Sequence, residues 1–348
     1  MSSGKMANLN AILRWTIEHG HKEDAPAGMP SYAAEMSEER KEWLKKAIEE
    51  MSNYEDVIDI VSKRLQGFEE DGTTPLQMSD AELVAAQEQT LEEMLCVIDN
   101  IDFARDFGQV GGADALLSLL SSPHAGLRWR TAEVVATVVQ NNPACQTMML
   151  EKNVLDTLMS MVESDQDTTV RTKAFLGISS QIRGHLPSLE IFLKNGGVSI
   201  IMQALEGDNN DNNDNNAVGT VKPISSMNLV RKALFLIPGI VFMRPTFVNV
   251  GKASGLLDRC IEYCFWGTNK EQEQEQEQEQ EQKEDQGGPI RESALKAVVA
   301  LAKGTGGMSV DAKRTLVGRS IALSRLEDEE KSYYEDEITL LKQAVQVQ

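Results

Sequence analysis

The sequence predicts an all-α protein whose helices stack as repeats into a solenoid. Aromatic residues make up only 5% of the 348 residues, and stretches such as Leu127 to Val139 carry apolar residues at helical spacing rather than in strand alternation. Two short patterns also recur along the chain, and units of this kind must stack because none can bury its apolar face alone. We therefore expect one helical body at a length that would otherwise suggest two domains.

An arginine returns near the start of four predicted helices, and its spacing gives the repeat length. The intervals between these arginines are 43, 60 and 60 residues. Each longer interval contains a low-complexity run, rich in Asp and Asn at 208–216 and in Glu and Gln at 271–282. Without the runs the period is about 42 residues, which is typical of armadillo or HEAT repeats. The four arginines are Arg128, Arg171, Arg231 and Arg291.

A second pattern precedes each arginine-bearing helix: an apolar residue, a short polar stretch, a Gly or Asn, and an apolar run. Gly and Asn often end a helix in the left-handed conformation, and here the next helix begins at once. Each unit is thus predicted to be a short helix, a tight turn, a buried helix, a loop and a long helix. The fold predicted is an armadillo-like helical repeat solenoid of about four repeats. The turns fall at Gly111-Gly112, Asn153-Val154, Gly196-Gly197 and Ser254-Gly255.

The chain is predicted to divide into four parts. Residues 1–36 form a flexible segment in which an apolar cluster precedes Gly and Pro residues, and residues 37–106 form an N-terminal helical cap. The armadillo repeats occupy 107–303, and residues 304–348 form a C-terminal helical cap. Low-complexity loop insertions are expected near 207–226 and 268–288, most simply as solvated loops.

Composition excludes several classes of protein. A net charge of −20 argues against nucleic-acid binding, because lysines and arginines must replace counterions along phosphates. Apolar runs fall short of the roughly 18 to 20 residues that span a bilayer, and the N-terminus has no apolar signal core. The four cysteines show no disulfide-framework spacing, which fits a reducing compartment. The cytoplasm is the expected location, with the nucleus as the alternative, and no membrane partner is expected.

Motifs for chemistry are weak. Gly251-Lys252-Ala253 lacks the Ser or Thr of a phosphate loop, so the sequence does not predict a nucleotide site. Cys260 and Cys264 lie one helical turn apart but have no further ligands nearby, and we expect both to be small core residues. We therefore expect a binding protein, not an enzyme, with neither a cofactor nor a metal.

A basic stripe is expected on one surface of this acidic protein. In armadillo stacking the third helix of each repeat lines the concave face, so matching positions form a ladder. One interpretation is that each arginine forms a salt bridge to the neighbouring repeat. The other is that the stripe binds an acidic protein surface, since opposite potentials steer encounter. The stripe comprises Arg128, Arg171, Arg231 and Arg291, with Arg130, Lys173 and Lys232 close to them.

Several strings resemble one family of armadillo proteins. Ala125 to Arg130 with Val139 to Pro143, and Val170 to Ala174 with Ile182 to His185, resemble the armadillo nucleotide exchange factors of the Fes and Hsp70-binding-protein family. Two upstream strings agree, which are Met36 to Arg40 with Trp43-Leu44 and Ile98 to Asp102 with Ala104. Leu13 to Ile17 also resembles the N-terminus of the fungal and plant branch. The resemblance covers about residues 9 to 205 well and the fourth repeat loosely.

The resemblance implies a co-chaperone that binds the ATPase domain of a heat-shock protein 70 chaperone through its concave face. Its bulk would displace one lobe of that domain so that ADP leaves. Pro238 departs from the family pattern, and we expect it to kink the third long helix and to put a role for Arg291 in doubt. Carried over by matching motif, the chaperone-binding residues would be Ala104, Arg128, Arg130, Arg171, Lys173, Arg231 and Lys232.

Two alternatives stay open at the sequence level. The first concerns the whole chain, which could instead be a generic armadillo adaptor that holds an extended acidic peptide. The second concerns the N-terminal apolar cluster. It is either a mobile client-release segment, which occupies the chaperone's substrate-binding domain, or an amphipathic helix that docks on the chain's own first helices. The cluster comprises Leu9, Ile12, Leu13, Trp15 and Ile17.

Overall fold

The structure is a computed structural model that describes residues 58–69, 71–95, 98, 101–206, 227–265, 288–304, 308–326 and 331–346. The chain divides into two compact units, Met1–Val57 and Ile58–Gln348, and the described residues all belong to the second unit. The N-terminal segment 1–36 lies outside the described residues. So do both predicted insertions, apart from the terminal Gly288.

The second unit is helical, and its described residues contain no β-strand. A leading helix, α1 (Asp80–Leu95), precedes four groups of three helices. The first two groups are α2 (Ile101–Phe107), α3 (Ala113–Leu120) and α4 (Ala125–Val139), then α5 (Pro143–Glu151), α6 (Val154–Ser164) and α7 (Thr168–Ile182). The next two are α8 (Leu186–Lys194), α9 (Gly197–Glu206) and α10 (Met227–Met243), then α11 (Phe247–Ala253), α12 (Leu256–Tyr263) and α13 (Gly288–Gly304). Two further helices follow, α14 (Val310–Ser324) and α15 (Glu335–Gln346).

The turn between the first and second helix of each group follows the prediction. One residue there is left-handed in every group: Gly111 at φ 95°, Asn153 at 58°, Gly196 at 92° and Gly255 at 78°. In two groups the next residue is also a glycine, and a side chain there would clash with a phenylalanine ring. A Cβ on Gly197 would lie 2.5 Å from ring atoms of Phe192. These turns explain why the Gly or Asn pattern recurs with the repeat.

Two of the strings that carry the family resemblance form the turn between repeats. Left-handed Asn141 and Gly184, at φ 53° and 71°, end α4 and α7. The next residue in each case caps the following helix, because the side chain of Asn142 accepts from the Cys145 amide, and that of His185 from the Ser188 amide. A side-chain cap of this kind satisfies a backbone donor that the first helical turn leaves unpaired.

The long third helices α4, α7, α10 and α13 pack on one another in order, with α1 against α4 and α15 against α13. Each contains a pair of buried residues that faces the core and sets its register. In each helix, the residue immediately before the pair lies at an equivalent position on the outer surface, which we call the outer place. The residue three positions before the pair lies at an equivalent position towards the neighbouring repeat, which we call the inner place. The pairs are Thr131-Ala132, Ala174-Phe175, Ala233-Leu234 and Ala294-Leu295.

This register corrects the ladder that equal spacing suggests. The inner place is held by Arg128, Arg171, Val230 and Arg291, so Arg231 lies one residue out of line with the other three arginines. The outer place is held by Arg130, Lys173, Lys232 and Ser293. The equal intervals of 60 residues do not give the alignment of the helices, because the insertions before α10 and α13 need not be equal in length. The buried pair does give the alignment, because packing in the core fixes which residues of each helix are buried.

Pro238 does not end α10, which continues to Met243. Because proline has no N–H, the helical hydrogen bond to the carbonyl of Leu234 cannot form there. The expected kink itself stays a prediction.

The cysteines of the described chain are core residues, as predicted for Cys260 and Cys264. Cys145, Cys260 and Cys264 are free and buried. Burial raises the pKa of Cys145 to about 11 and lifts the pKa of the other two thiols above their usual value as well. None of the described helices combines the length and apolar character needed to cross a bilayer.

Candidate interaction face

The outward residues of α4, α7, α10 and α13 form one continuous surface, which we call the third-helix face. Its basic residues gather at the second turns of α4, α7 and α10. We define the cationic cluster as Trp129, Arg130, Lys173, Arg231 and Lys232.

Arg128 does not project from this face but ties two repeats together. Its Nε and Nη2 donate to the two carboxylate oxygens of Asp165, at 2.7 and 2.9 Å, and its Nη1 donates to the carbonyls of Ser122 and Pro123. Burial alone would raise the pKa of Asp165, but hydrogen bonds from Arg128 and from the Asp167 amide hold it below its usual value. All three guanidinium nitrogens of Arg128 thus donate within the chain, and the salt-bridge interpretation applies to it.

Arg171 and Arg291 occupy the same inner place and are buried as well. Arg171 is 7% exposed, and its charge also lowers the pKa of Asp165. Arg291 is fully buried, and its Nε lies 3.1 Å from one carboxylate oxygen of Glu337. The other oxygen accepts from Arg319 at 2.9 Å, so this cluster joins α13, α14 and α15. A partner-binding role does not fit Arg171, because its side chain is not accessible.

Trp129 organises the first part of the cationic cluster. The Arg130 guanidinium lies 4.2 Å from the centre of its ring and the Lys173 ammonium 5.8 Å from it, both within cation–π range. Arg130 also pairs with α1, since its Nε donates to Glu92 at 2.7 Å. Lys173 pairs with Glu133 on α4. These two cations are therefore partly neutralised while remaining at the surface.

Within the described residues the charges of Arg231 and Lys232 are not paired, although the negative charge of Glu133 acts to raise the pKa of Lys232. Arg231 is exposed, and neither residue forms an ion pair within the described part of the chain. Burial lowers the pKa of Lys232, and the neighbouring charges of Lys173 and Arg231 lower it further. A lysine whose pKa is lowered by other cations lies in a region of positive potential, which an acidic partner would relieve.

Ala104 differs from its expected role. It lies in α2 and is 1% exposed, so its side chain belongs to the core and cannot form a close contact with a partner. An arginine at this position would therefore disrupt packing before it could affect binding.

An apolar groove lies beside the cationic cluster on the same face, and sequence patterns did not indicate it. It has a volume of about 530 Å³ and crosses α10 between the ends of α7 and α13. Its wall contains Phe235, which is 57% exposed, and Leu189 and Leu340 from helices far apart in the chain. The one sequence signal is Pro238-Gly239, which removes side-chain volume from the outward side of a helix that is otherwise apolar.

The central part of the chain matches a known family profile. Residues 103–224 match the family profile of the SIL1/FES1/HPBP1 C-terminal domain. Those residues include the helices α3 to α9 and the strings between Ala125 and His185 that carry the resemblance. The upstream strings Met36 to Arg40 and Ile98 to Asp102 lie outside the match.

Curated relatives carry related names. The chain is 32% identical over 211 residues to Hsp70-binding protein 1 of Mus musculus, covering 57% of this chain and 55% of the relative. It is 28% identical over 191 residues to the Hsp70 nucleotide exchange factor FES1 of Coccidioides immitis, covering 53% of this chain and 82% of the relative. The chain thus spans about half the length of the Hsp70-binding protein 1 relatives that it matches.

Solved structures agree with the predicted fold. A designed armadillo repeat protein superposes with a TM-score of 0.51 at 13% identity, covering 81% of this chain and 99% of the other. Computationally designed armadillo repeat proteins for modular peptide recognition superpose with a TM-score of 0.51 at 14% identity, covering 80% and 98%. The armadillo-like solenoid is therefore confirmed as the fold, and residues 103–224 carry the resemblance to the SIL1/FES1/HPBP1 family that the sequence predicted.

Proposed function

We propose that this protein is a co-chaperone that binds the ATPase domain of a heat-shock protein 70 chaperone and promotes ADP release. The observation that carries the proposal is the match of residues 103–224 to the SIL1/FES1/HPBP1 C-terminal domain. Two relatives whose names state Hsp70 binding and Hsp70 nucleotide exchange support it. In this proposal the protein acts by binding and catalyses no chemical step itself.

The cationic cluster is the proposed centre of the chaperone contact. Arg231 and Lys232 offer charge without a described internal partner, and Trp129 with Arg130 and Lys173 offers a rigid amphipathic surface beside them. Complementary potential at such a patch orients a partner and excludes others. Because the chain as a whole carries −20, attraction to an acidic partner must come from this local cluster rather than from the net charge.

Binding of this protein and of nucleotide to the chaperone would be antagonistic. Coupling between two ligands of one protein is reciprocal, so a partner that favours the open ATPase cleft loses affinity when nucleotide closes it. ATP should therefore dissociate the complex in a concentration series. Equal affinity for the nucleotide-free and the ATP-bound chaperone would contradict this mechanism.

A charge-reversal variant tests the proposed contact. Arg231→Glu should slow stimulated ADP release about tenfold or more, which corresponds to about 1.4 kcal/mol or more of lost interaction. The matched control is Lys252→Glu, an exposed cation on α11 outside the third-helix face, which should leave the rate unchanged. Equal effects of the two variants would mean that general charge, not the cluster, matters. An adaptor for acidic peptides would bind without accelerating ADP release at all.

The N-terminal apolar cluster is proposed to assist client release by occupying the chaperone's substrate-binding domain. Leu9, Ile12, Leu13, Trp15 and Ile17 would supply its large apolar side chains. Tethering raises the effective concentration of such a weak motif into roughly the millimolar range. Deletion of residues 2–36 should preserve ADP release while impairing release of a labelled client peptide. Loss of stability without a release defect would instead support the helix that docks on the protein itself.

We propose the cytoplasm as the location, with the nucleus as the alternative. The support is cysteine usage, since Cys145, Cys260 and Cys264 are free thiols buried in the core.

A further inference from the structure

The apolar groove has the size and lining of a binding site. Its volume of about 530 Å³ falls within the range of about 300 to 1,000 Å³ that is usual for sites enclosing a drug-sized molecule. It can therefore hold a few side chains of a bound segment. Its walls come from five helices, with Ile182 on α7, Leu189 on α8, Phe235 on α10, Val299 on α13 and Leu340 on α15.

One side of α10 is apolar although it faces outward. Phe235, Gly239 and Phe242 lie four and then three residues apart, so they share one side of the helix. Phe235 is 57% exposed and Phe242 is 88% exposed. Large exposed aromatic side chains next to a cavity are typical of anchors for a partner. Gly239 between them leaves the space open, since a Cβ there would have no atom within 4 Å.

Among the described residues, the charged side chains that line the groove are all cationic. They are Arg183 at the end of α7 and Lys296 and Lys303 on α13. The Arg183 guanidinium lies 5.1 Å from the centre of the Phe235 ring, so the charge and the apolar floor are adjacent. Lys296 also pairs with Glu292 on its own helix, whereas Lys303 forms no ion pair within the described part of the chain. On a chain of net charge −20, a rim of one positive sign selects for acidic groups.

We propose that this groove binds a short acidic peptide segment that carries large apolar side chains. The apolar side chains fill the space over Gly239 beside Phe235, and the flanking carboxylates pair with Arg183, Lys296 and Lys303. This site is distinct from the cationic cluster, and the proposal does not depend on nucleotide exchange. If the protein did not accelerate ADP release, the groove proposal would be unaffected. If the groove did not bind the peptide, the proposed role in nucleotide exchange would be unaffected.

The probe is a short fluorescein-labelled peptide in which Leu and Phe are flanked by Asp and Glu, measured by fluorescence anisotropy with the full chain. Two control peptides separate the contributions of the groove. In one, Leu and Phe are replaced by Ser; in the other, Asp and Glu are replaced by Lys. We expect each control to bind at least about tenfold more weakly, a difference of about 1.4 kcal/mol. Equal binding of all three peptides, or no binding of the probe, would overturn the proposal.

Variants locate the binding on the protein. Gly239→Leu should fill the groove and abolish binding while keeping the fold, because a Cβ at this position has no atom within 4 Å and leucine favours helix. Lys303→Glu should weaken binding of the acidic probe and should strengthen binding of the Lys peptide. Val310→Ser removes an apolar residue that is 74% exposed but lies outside the groove, so it should leave binding unchanged.

Self-association is the competing occupant. Sedimentation of the wild type and of Gly239→Leu distinguishes the two. A monomeric wild type is expected under the proposal. A dimer that Gly239→Leu dissociates would show that the groove takes a second copy of the chain and would overturn it.

Discussion

The bridge between Arg128 and Asp165 gives a direct test of which arginines of the ladder are structural. Arg128→Met removes two hydrogen bonds of 2.7 and 2.9 Å from a carboxylate that is 7% exposed, and it also removes the donors to two backbone carbonyls. Loss of one partner of a buried ion pair costs about 3 to 5 kcal/mol. Because the Arg128 side chain is 18% exposed, water offsets part of this, and we expect a loss of about 2 to 3 kcal/mol.

A double-mutant cycle separates the pair from the general effect of each substitution. The free energy of unfolding is measured by urea denaturation for Arg128→Met, Asp165→Asn and the double variant. The sum of the two single losses of unfolding free energy should exceed the loss in the double variant by about 1 kcal/mol or more. The reason is that either substitution alone already removes the ion pair. At a temperature where Arg128→Met is folded, its stimulation of ADP release should equal that of the wild type. Additive losses would show that the pair does not stabilise the fold. A stable variant with impaired exchange would show that Arg128 is a contact residue.

Three further predictions concern the core and pH. Gly197→Ala should lose about 1 to 3 kcal/mol of unfolding free energy, because its Cβ would lie 2.5 Å from the Phe192 ring. The control Gly318→Ala should show no such loss, because a Cβ there has no atom within 4 Å. Equal losses in the two variants would contradict this explanation. Glu337→Gln should lose about 3 kcal/mol in the same assay because Arg291 and Arg319 both depend on that carboxylate, and exposed Glu335→Gln is its control. The stability advantage of wild type over Asp165→Asn should be full above about pH 4 and shrink below it, since the folded-state pKa of Asp165 is lowered; a constant difference would refute this.

The repeat architecture could be predicted because each unit repeats a backbone requirement that only a few residue types meet. A left-handed residue is needed between the first two helices of each group, and Gly111, Asn153, Gly196 and Gly255 meet it. These positions are local, so spacing along the chain was enough to find them.

The roles of the basic residues could not be predicted in the same way. Arg128 and Arg130 are two residues apart in one helix and their side chains are equally exposed, yet Arg128 pairs with Asp165 of the next repeat and Arg130 pairs with Glu92 on α1. The difference depends on the buried pair that sets the register of each helix. The insertions before α10 and α13 hid that register, which is why Arg231 seemed aligned in sequence with Arg128.

The groove was missed for a related reason. Leu189, Phe235, Lys303 and Leu340 belong to four helices, and no short stretch of sequence contains them together. An exposed phenylalanine in an apolar helix also looks the same in sequence as a buried one. Ala104 shows a further limit, because the string that contains it does not reveal that its side chain is buried.

The central claim is that binding of this chain accelerates ADP release from a heat-shock protein 70 chaperone. The most direct measurement is the dissociation rate of fluorescent ADP from a purified chaperone ATPase domain, chased with excess unlabelled nucleotide, with and without this protein. The account predicts a rate that rises with protein concentration and saturates, and that Arg231→Glu lowers while Lys252→Glu does not. An ADP dissociation rate that stays unchanged while the two proteins bind would contradict it.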